Sequence, residues 1–119
     1  MSYQETITID LTYLHTVTGG DREFEKTLLQ GAVNDIQCRI DNLEKAWQDQ
    51  DGRSVKTNVH SLKSLTAIAG LPQIERWSRA LDQIFSDGQF HSNTSESYKS
   101  LVAGWTVAKP KLNEVIANY

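Results

Sequence analysis

The sequence predicts an all-α fold, built as an antiparallel four-helix bundle with a short extra N-terminal helix. Apolar residues recur at intervals of three and four along four long segments, the spacing that gives an α-helix one buried face. No segment shows the alternating pattern of a half-buried strand. Short polar or glycine-containing turns separate the segments, so consecutive helices are expected to pack antiparallel.

The first two helices are expected to begin at capping residues. Residues 1–8 show little periodicity and are expected to form a loose arm. Asp10 is placed to cap a short helix over about residues 11–18, which the glycine pair at 19–20 ends. Asp21 then caps a long helix over about residues 21–50.

The third helix is predicted over about residues 53–69, because neither proline nor glycine interrupts this stretch. Gly70 ends it, since a left-handed backbone at a helix end costs least for glycine. Pro72 opens the fourth helix, where proline is tolerated in the first turn.

The last helix follows the most loop-like segment, residues 87–93. It is predicted over about residues 94–118, and Pro110 within it should kink it or divide it in two. No internal repeat or linker is evident, so residues 1–119 are predicted to form one domain.

Composition and charge argue against several classes of protein. The net charge of −3 disfavours general nucleic-acid binding, which needs clustered positive charge over an extended surface. No stretch is long enough to span a bilayer, and no signal peptide is recognisable at the N-terminus. The one cysteine, Cys38, lies among apolar residues on a helix and is expected to be buried and reduced. These features favour a cytoplasmic protein without a membrane partner.

His60 is the most informative residue. At about 100° of rotation per residue, it points away from the apolar side of the third helix. That apolar side consists of Val55, Val59, Leu62, Leu65 and Ala69. The face around His60 carries three cations, a hydroxyl and a small side chain: Arg53, Lys56, Lys63, Ser64 and Ala67. An imidazole ringed by cations is suited to hold an anion.

The same pattern suits a histidine that carries a phosphoryl group. A solvated imidazole is largely neutral at cellular pH, and neutral imidazole is a nucleophile. Lys63, three residues on, and Lys56, four residues back, are near enough along the helix to reach oxygens of a phosphoryl group on the ring. The small side chains of Ser64 and Ala67 leave room for another protein to approach.

Residues 60–64, His-Ser-Leu-Lys-Ser, resemble the signature of histidine-containing phosphotransfer (HPt) domains of two-component phosphorelays. That family has the pattern His-x-x-Lys-Gly/Ser, with a glycine ten residues after the histidine, as Gly70 is here. Residues 9–24 are similar to the usual start of such domains. Two residues depart from the pattern: Ser64 replaces the commoner glycine, and Leu65 replaces a small residue and is expected to affect packing only.

The resemblance implies a phosphoryl carrier. Nε2 of His60 would accept the group from the aspartyl phosphate of a receiver domain and pass it to a second receiver aspartate. Lys63 and Lys56 would offset the charge on its oxygens. Any Mg²⁺ would belong to the receiver's acidic pocket, so the chain is expected to need no cofactor of its own. With no nucleotide-binding fingerprint in its sequence, it is expected not to phosphorylate itself from ATP, and is only loosely an enzyme.

The expected partners are response-regulator receiver domains and a hybrid sensor histidine kinase, bound by a monomer. Docking would bury Ala67 and Ile68, with Arg53 and Ser64 on the same face and Leu14 of the first helix adding to it.

Two other interpretations stay open at this stage. One is a helical adaptor that binds a receiver domain without chemistry, and the other is a homodimerising helical module. His15 and His91 lack a comparable surround and are expected to be structural or solvated. The histidines show no paired spacing with one another or with Cys38, so no metal site is predicted.

Overall fold

The computed structural model describes residues 6–119, and this range is helical without any strand. Its helices are α1 (Thr12–Thr18), α2 (Arg22–Gln48), α3 (Gly52–Ile68), α4 (Pro72–Ile84) and α5 (Ser95–Ala117), with 3-10 turns at Phe85–Asp87 and Ser92–Thr94. The predicted all-α class is confirmed. The arm expected over residues 1–8 lies largely outside the described residues, but Ile7 is buried in the core rather than loose.

The four long helices pack in a closed sequence, α2 on α3, α3 on α4, α4 on α5 and α5 back on α2, while α1 contacts α2 and α3. The connections at 49–51 and 69–71 are short, so the helices they join run antiparallel. Buried apolar side chains from all five helices form one cluster, which includes Leu14, Ile36, Val59, Leu81 and Leu112. None of the described helices is long and apolar enough to cross a membrane.

Aspartate side chains cap the second and third helices, but not the first. The predicted Asp10 cap was wrong: Leu11 occupies the N-cap position of α1 without a side-chain hydrogen bond, and Asp10, one residue earlier, accepts a hydrogen bond from the backbone N–H of Thr12 at 3.0 Å. Asp21 caps α2 as predicted, accepting from the N–H of Phe24 at 3.1 Å. Asp51 caps α3 in the same way, accepting a hydrogen bond from the backbone N–H of Ser54. Each such cap contributes about 1 kcal/mol to stability.

Two glycines hold the ends of α3 against other parts of the chain. Gly70 has φ of +70°, and a Cβ there would overlap the carbonyl group of Asp10. The carbonyl of Gly70 also accepts a hydrogen bond from the N–H of Asp10 at 2.8 Å. Gly52 lies against the connection between α4 and α5, where a Cβ would be 2.5 Å from the carbonyl oxygen of Gly88. These contacts fix the helix that carries His60.

The structure contradicts one prediction about a single residue and one of the two outcomes predicted for another. Cys38 is exposed, because two residues of helix rotate it by about 200° from the buried Ile36. Pro110 does not divide the last helix in two, since α5 runs through it. The kink that was the other expected outcome stays a prediction. Both Pro110 and Thr106, whose carbonyl loses its helical partner there, are exposed, so water can bond to that carbonyl.

A buried carboxylate, Glu25, ties α1 to α2 and to the last residue described. It accepts hydrogen bonds from His15 Nδ1 at 2.7 Å, from Thr18 Oγ1 at 2.6 Å and from the hydroxyl of Tyr119 at 2.9 Å. The bonds from His15 and Thr18 outweigh the effect of burial and lower the pKa of Glu25 to about 2. Glu25 therefore stays ionised in the folded protein well below neutral pH.

We expect the stability that Glu25 contributes to be present above pH 4.5 and to be lost as the pH falls through about 2. A carboxyl with a lowered pKa in the folded state takes up its proton more readily when unfolded, so acid favours unfolding. Urea unfolding of the native protein and Glu25→Gln, at neutral pH and at about pH 3, would measure this. The native protein should lose more stability in acid than the variant; equal losses would contradict the assignment.

Candidate functional site

α3 presents His60 to solvent, as the sequence predicts. Its side chain is 70% exposed, whereas the neighbouring core residues Val59 and Leu62 are fully buried. The ring is therefore accessible to a reactant or a partner protein outside the bundle.

Asp82, on α4, contacts both His60 and Lys63 through one carboxylate oxygen. Its Oδ2 lies 3.5 Å from Nδ1 of His60 and 2.7 Å from Nζ of Lys63. A carboxylate accepts, so Nδ1 must be the ring nitrogen that carries the proton in this contact. That tautomer leaves the lone pair on Nε2, the nitrogen on the other side of the ring.

Asp82 is only 17% exposed. Burial by itself raises its pKa, but the hydrogen bonds and charges of Lys63 and His60 together lower it by more, so its pKa lies below the ordinary value for aspartate. Asp82 is thus an anion at neutral pH, held between a cation and the imidazole. Asp82 was not identified from the sequence, because which residues of α3 it contacts depends on how α3 and α4 pack together.

A groove lies beside His60, with residues of α1, α2, α3 and α4 on its walls. Two residues predicted to meet a partner, Ser64 and Ala67, line it, and Ser64 is exposed. The rest of the wall includes Tyr13, Asp35, Arg39 and Arg79. Leu65 packs partly against the core, as expected, and also lines the groove.

The other two predicted cations lie on the opposite side of His60. Arg53 and Lys56 are exposed and border a second hollow next to Asp87 and Gly88. Nζ of Lys56 donates to the carbonyl oxygen of Ser86 at 3.0 Å. The ring of cations is therefore split, with Lys63 bound to Asp82 and Lys56 bound to the turn after α4.

Two residues expected on the docking surface do not reach the groove. Leu14 is fully buried, so its predicted contact role is wrong; its neighbour Tyr13 is 54% exposed and lines the groove instead. One residue of helix turns these side chains about 100° apart, and the way α1 packs decides which is buried. Ile68 is half-buried against the core and does not line the groove.

The other histidines have local structural partners. His15 donates to Glu25, and Nε2 of His91 lies 3.1 Å from Asp87 with its ring edge-on to Phe85. A hydrogen bond from the N–H of Gln89, and then that from His91, lower the pKa of Asp87. Within residues 6–119, no three histidine, cysteine or acidic side chains cluster in a way that could hold a metal ion.

Two solved structures share the fold. HptB, a histidine-containing phosphotransfer protein from Pseudomonas aeruginosa PAO1, superposes with a TM-score of 0.80 at 16% identity, covering 93% of this chain and 96% of that one. The HPT domain of a sensor hybrid histidine kinase from Shewanella gives a TM-score of 0.83 at 11% identity, covering 93% and 95%. No curated protein sequence matches the chain.

The sequence model of the Hpt domain matches residues 27–108. This range covers more than half of the chain and contains the whole site built around His60, Lys63 and Asp82. The resemblance carried by residues 60–64 and Gly70 is confirmed. The chain belongs to the Hpt domain family and has a histidine phosphotransfer role in phosphorelays, with receiver domains and histidine kinases as its class of partner.

Proposed function

We propose that His60 is the phosphorylated residue, accepting a phosphoryl group from a receiver-domain aspartate and passing it to another receiver aspartate. The observation that carries this assignment is the exposed ring of His60, whose Nδ1 contacts Asp82 and so leaves the lone pair on Nε2. His15 and His91 instead contact the carboxylates of Glu25 and Asp87. Transfer from a phosphorylated receiver domain, giving a product labile in acid and stable in base, is the direct test.

The chemistry is an in-line displacement at phosphorus. The lone pair of Nε2 forms the nitrogen–phosphorus bond while the bond to the aspartyl oxygen breaks, and its electron pair leaves with the carboxylate. Onward delivery reverses these steps at a second aspartate. Any Mg²⁺ that neutralises charge on the transferring group would be held by the receiver domain.

Lys63 is the cation placed to stabilise the phosphoryl group. Its side chain is 26% exposed, and its ammonium contacts the same oxygen of Asp82 that contacts the ring of His60. A flexible four-carbon stem lets it reach toward the phosphoryl oxygens of the loaded ring. Lys56 is held by Ser86 on the other side and would have to leave that carbonyl to take part.

The groove lined by Tyr13, Ser64 and Ala67 is the proposed docking surface for the receiver domain. It combines small and aromatic side chains next to the reactive ring, an arrangement that admits another protein close to Nε2. A monomer offers this surface to phosphorylated receivers, among which the receiver of a hybrid sensor kinase is the proposed upstream donor.

Ser64→Arg is expected to reduce phosphoryl acceptance from a receiver domain at least about tenfold through weaker binding, because a bulky cation one turn from His60 obstructs the approach. Titration of receiver binding and of the transfer rate would measure this. Asn113→Arg adds the same charge at an exposed position of α5, away from the groove, and should transfer normally. If both variants bind the receiver and accept the phosphoryl group equally well, Ser64 is not part of the docking surface.

A further inference from the structure

We infer that Glu25 and Tyr119 are positioning residues for receiver docking: they hold α1 on the bundle, and α1 carries Tyr13 in the wall of the groove beside His60. The inference rests on the proposed function, in which that groove is the docking surface. Neither Glu25 nor Tyr119 lines the groove, so both act through α1.

The position of α1 depends on its contacts with the rest of the bundle. The helix has seven residues, and a helix of that length is not stable by itself in water. Its N-cap residue, Leu11, gives no side-chain hydrogen bond. The segment before the helix is held by the N–H of Asp10, which donates to the carbonyl of Gly70 at 2.8 Å, and Leu14 is fully buried. What fixes the second half of α1 therefore needs a separate explanation.

Glu25 supplies that contact from α2. His15 Nδ1 and Thr18 Oγ1 both hydrogen-bond to Oε2 of Glu25, at 2.7 Å and 2.6 Å. One carboxylate oxygen thus joins the second half of α1 to the long helix beneath it. Tyr13 lies just before these residues and is 54% exposed, so the position of its ring follows the backbone of α1.

Tyr119, in the segment after α5, occupies the other oxygen of the same carboxylate. Its hydroxyl donates to Oε1 of Glu25 at 2.9 Å, and the guanidinium of Arg22 lies 4.6 Å from the centre of its ring. Burial, and then the bond to Glu25, raise the pKa of Tyr119, so the hydroxyl keeps its proton and acts as the donor. Because the side chain of Glu25 is 1% exposed, water is poorly placed to replace a lost donor.

This contact couples the segment after α5 to docking and leaves the reacting residues alone. Without the Tyr119 hydroxyl, the buried carboxylate lacks one of its three donors, and a shift of α1 or a turn of Glu25 toward solvent relieves the loss. Either movement displaces Tyr13, whereas His60 and Lys63 stay in place on α3. The expected effect is weaker receiver binding with unchanged transfer in the bound complex.

Tyr119→Phe provides the test, because it removes the hydroxyl and keeps the ring beside Arg22. We expect about threefold weaker binding of an unphosphorylated receiver domain by titration calorimetry. The concentration of phosphorylated receiver that gives half-maximal transfer should rise by a similar factor, with the maximal rate unchanged. Glu25→Gln removes the charge that all three donors share and should act in the same direction more strongly.

Tyr98→Phe is the matched control. It also removes a tyrosine hydroxyl from the α5 region, but near the start of that helix and outside the groove, so it should bind receiver domains as the native protein does. A double-mutant cycle then shows whether the effect passes through α1. With Tyr13 already replaced by alanine, Tyr119→Phe should cause no further loss of receiver affinity, because the side chain that it positions is gone.

Three results would overturn the inference. Tyr119→Phe could lower the free energy of unfolding in urea and keep native receiver affinity, which would make the contact purely structural. It could weaken binding equally with and without the Tyr13 side chain, or it could lower the maximal transfer rate at unchanged affinity.

Failure of the proposed function would look different. If the native protein binds receiver domains but accepts no label from phosphorylated ones, the role of His60 fails. The binding titrations and the cycle with Tyr13→Ala do not depend on transfer, so they still decide whether Glu25 and Tyr119 position the docking surface.

Discussion

Replacing His60 with glutamine is expected to abolish phosphoryl acceptance and leave the helical fold intact. Glutamine has a side-chain amide in place of the ring, and an amide nitrogen has no lone pair free to attack phosphorus. Because the His60 side chain is 70% exposed and outside the core, stability should change by no more than about 0.5 kcal/mol. Labelled transfer from a phosphorylated receiver domain, with circular dichroism as the check on folding, measures both effects.

His91→Gln is the matched control for that experiment. His91 lies in the connection before α5, where it contacts Asp87 and Phe85, so its loss should leave acceptance at the native level. If His60→Gln still takes up acid-labile label, another residue is the phosphorylation site. A native protein that binds receiver domains but never takes up label would favour a non-catalytic adaptor instead.

Gly70→Ala is expected to lower the free energy of unfolding by about 2–4 kcal/mol. The left-handed backbone at Gly70 costs about 1 kcal/mol once a Cβ is present. The added methyl group also overlaps the carbonyl of Asp10, and such overpacking typically costs about 1–3 kcal/mol more. Urea unfolding at neutral pH would measure the loss.

Gly31→Ala tests the same substitution without those constraints. Gly31 is exposed inside α2, and a Cβ there meets nothing within 4 Å, so alanine should stabilise the helix by about 1 kcal/mol. Similar effects at the two positions would show that the contact of Gly70 with Asp10 is unimportant. The glycine ten residues after the histidine thus has a physical reason: it ends α3 and admits the segment that leads into α1.

Much of the site could be predicted because it lies along one helix. The apolar spacing of α3 places Val59 and Leu62 inside, and this fixes His60, Lys63 and Ser64 on the other face without knowledge of any partner helix. The start of α2 followed similarly from the Asp21 cap, the end of α3 from Gly70 and the start of α4 from Pro72.

The features that were missed depend on packing between elements. Asp82 meets His60 only because α4 lies beside α3 at a particular rotation, which no spacing within α4 reveals. Leu14 and Tyr13 are adjacent in a seven-residue helix too short for a periodic pattern to choose between them.

The exposure of His60 on a single face has a kinetic consequence for the proposed relay. One ring nitrogen, beside one groove, can meet only one receiver domain at a time. Donor and acceptor must therefore occupy the same surface in turn, and the loaded protein has to leave the first before it meets the second. Steady-state transfer should follow a ping-pong scheme, in which excess unphosphorylated donor inhibits by competing with the acceptor.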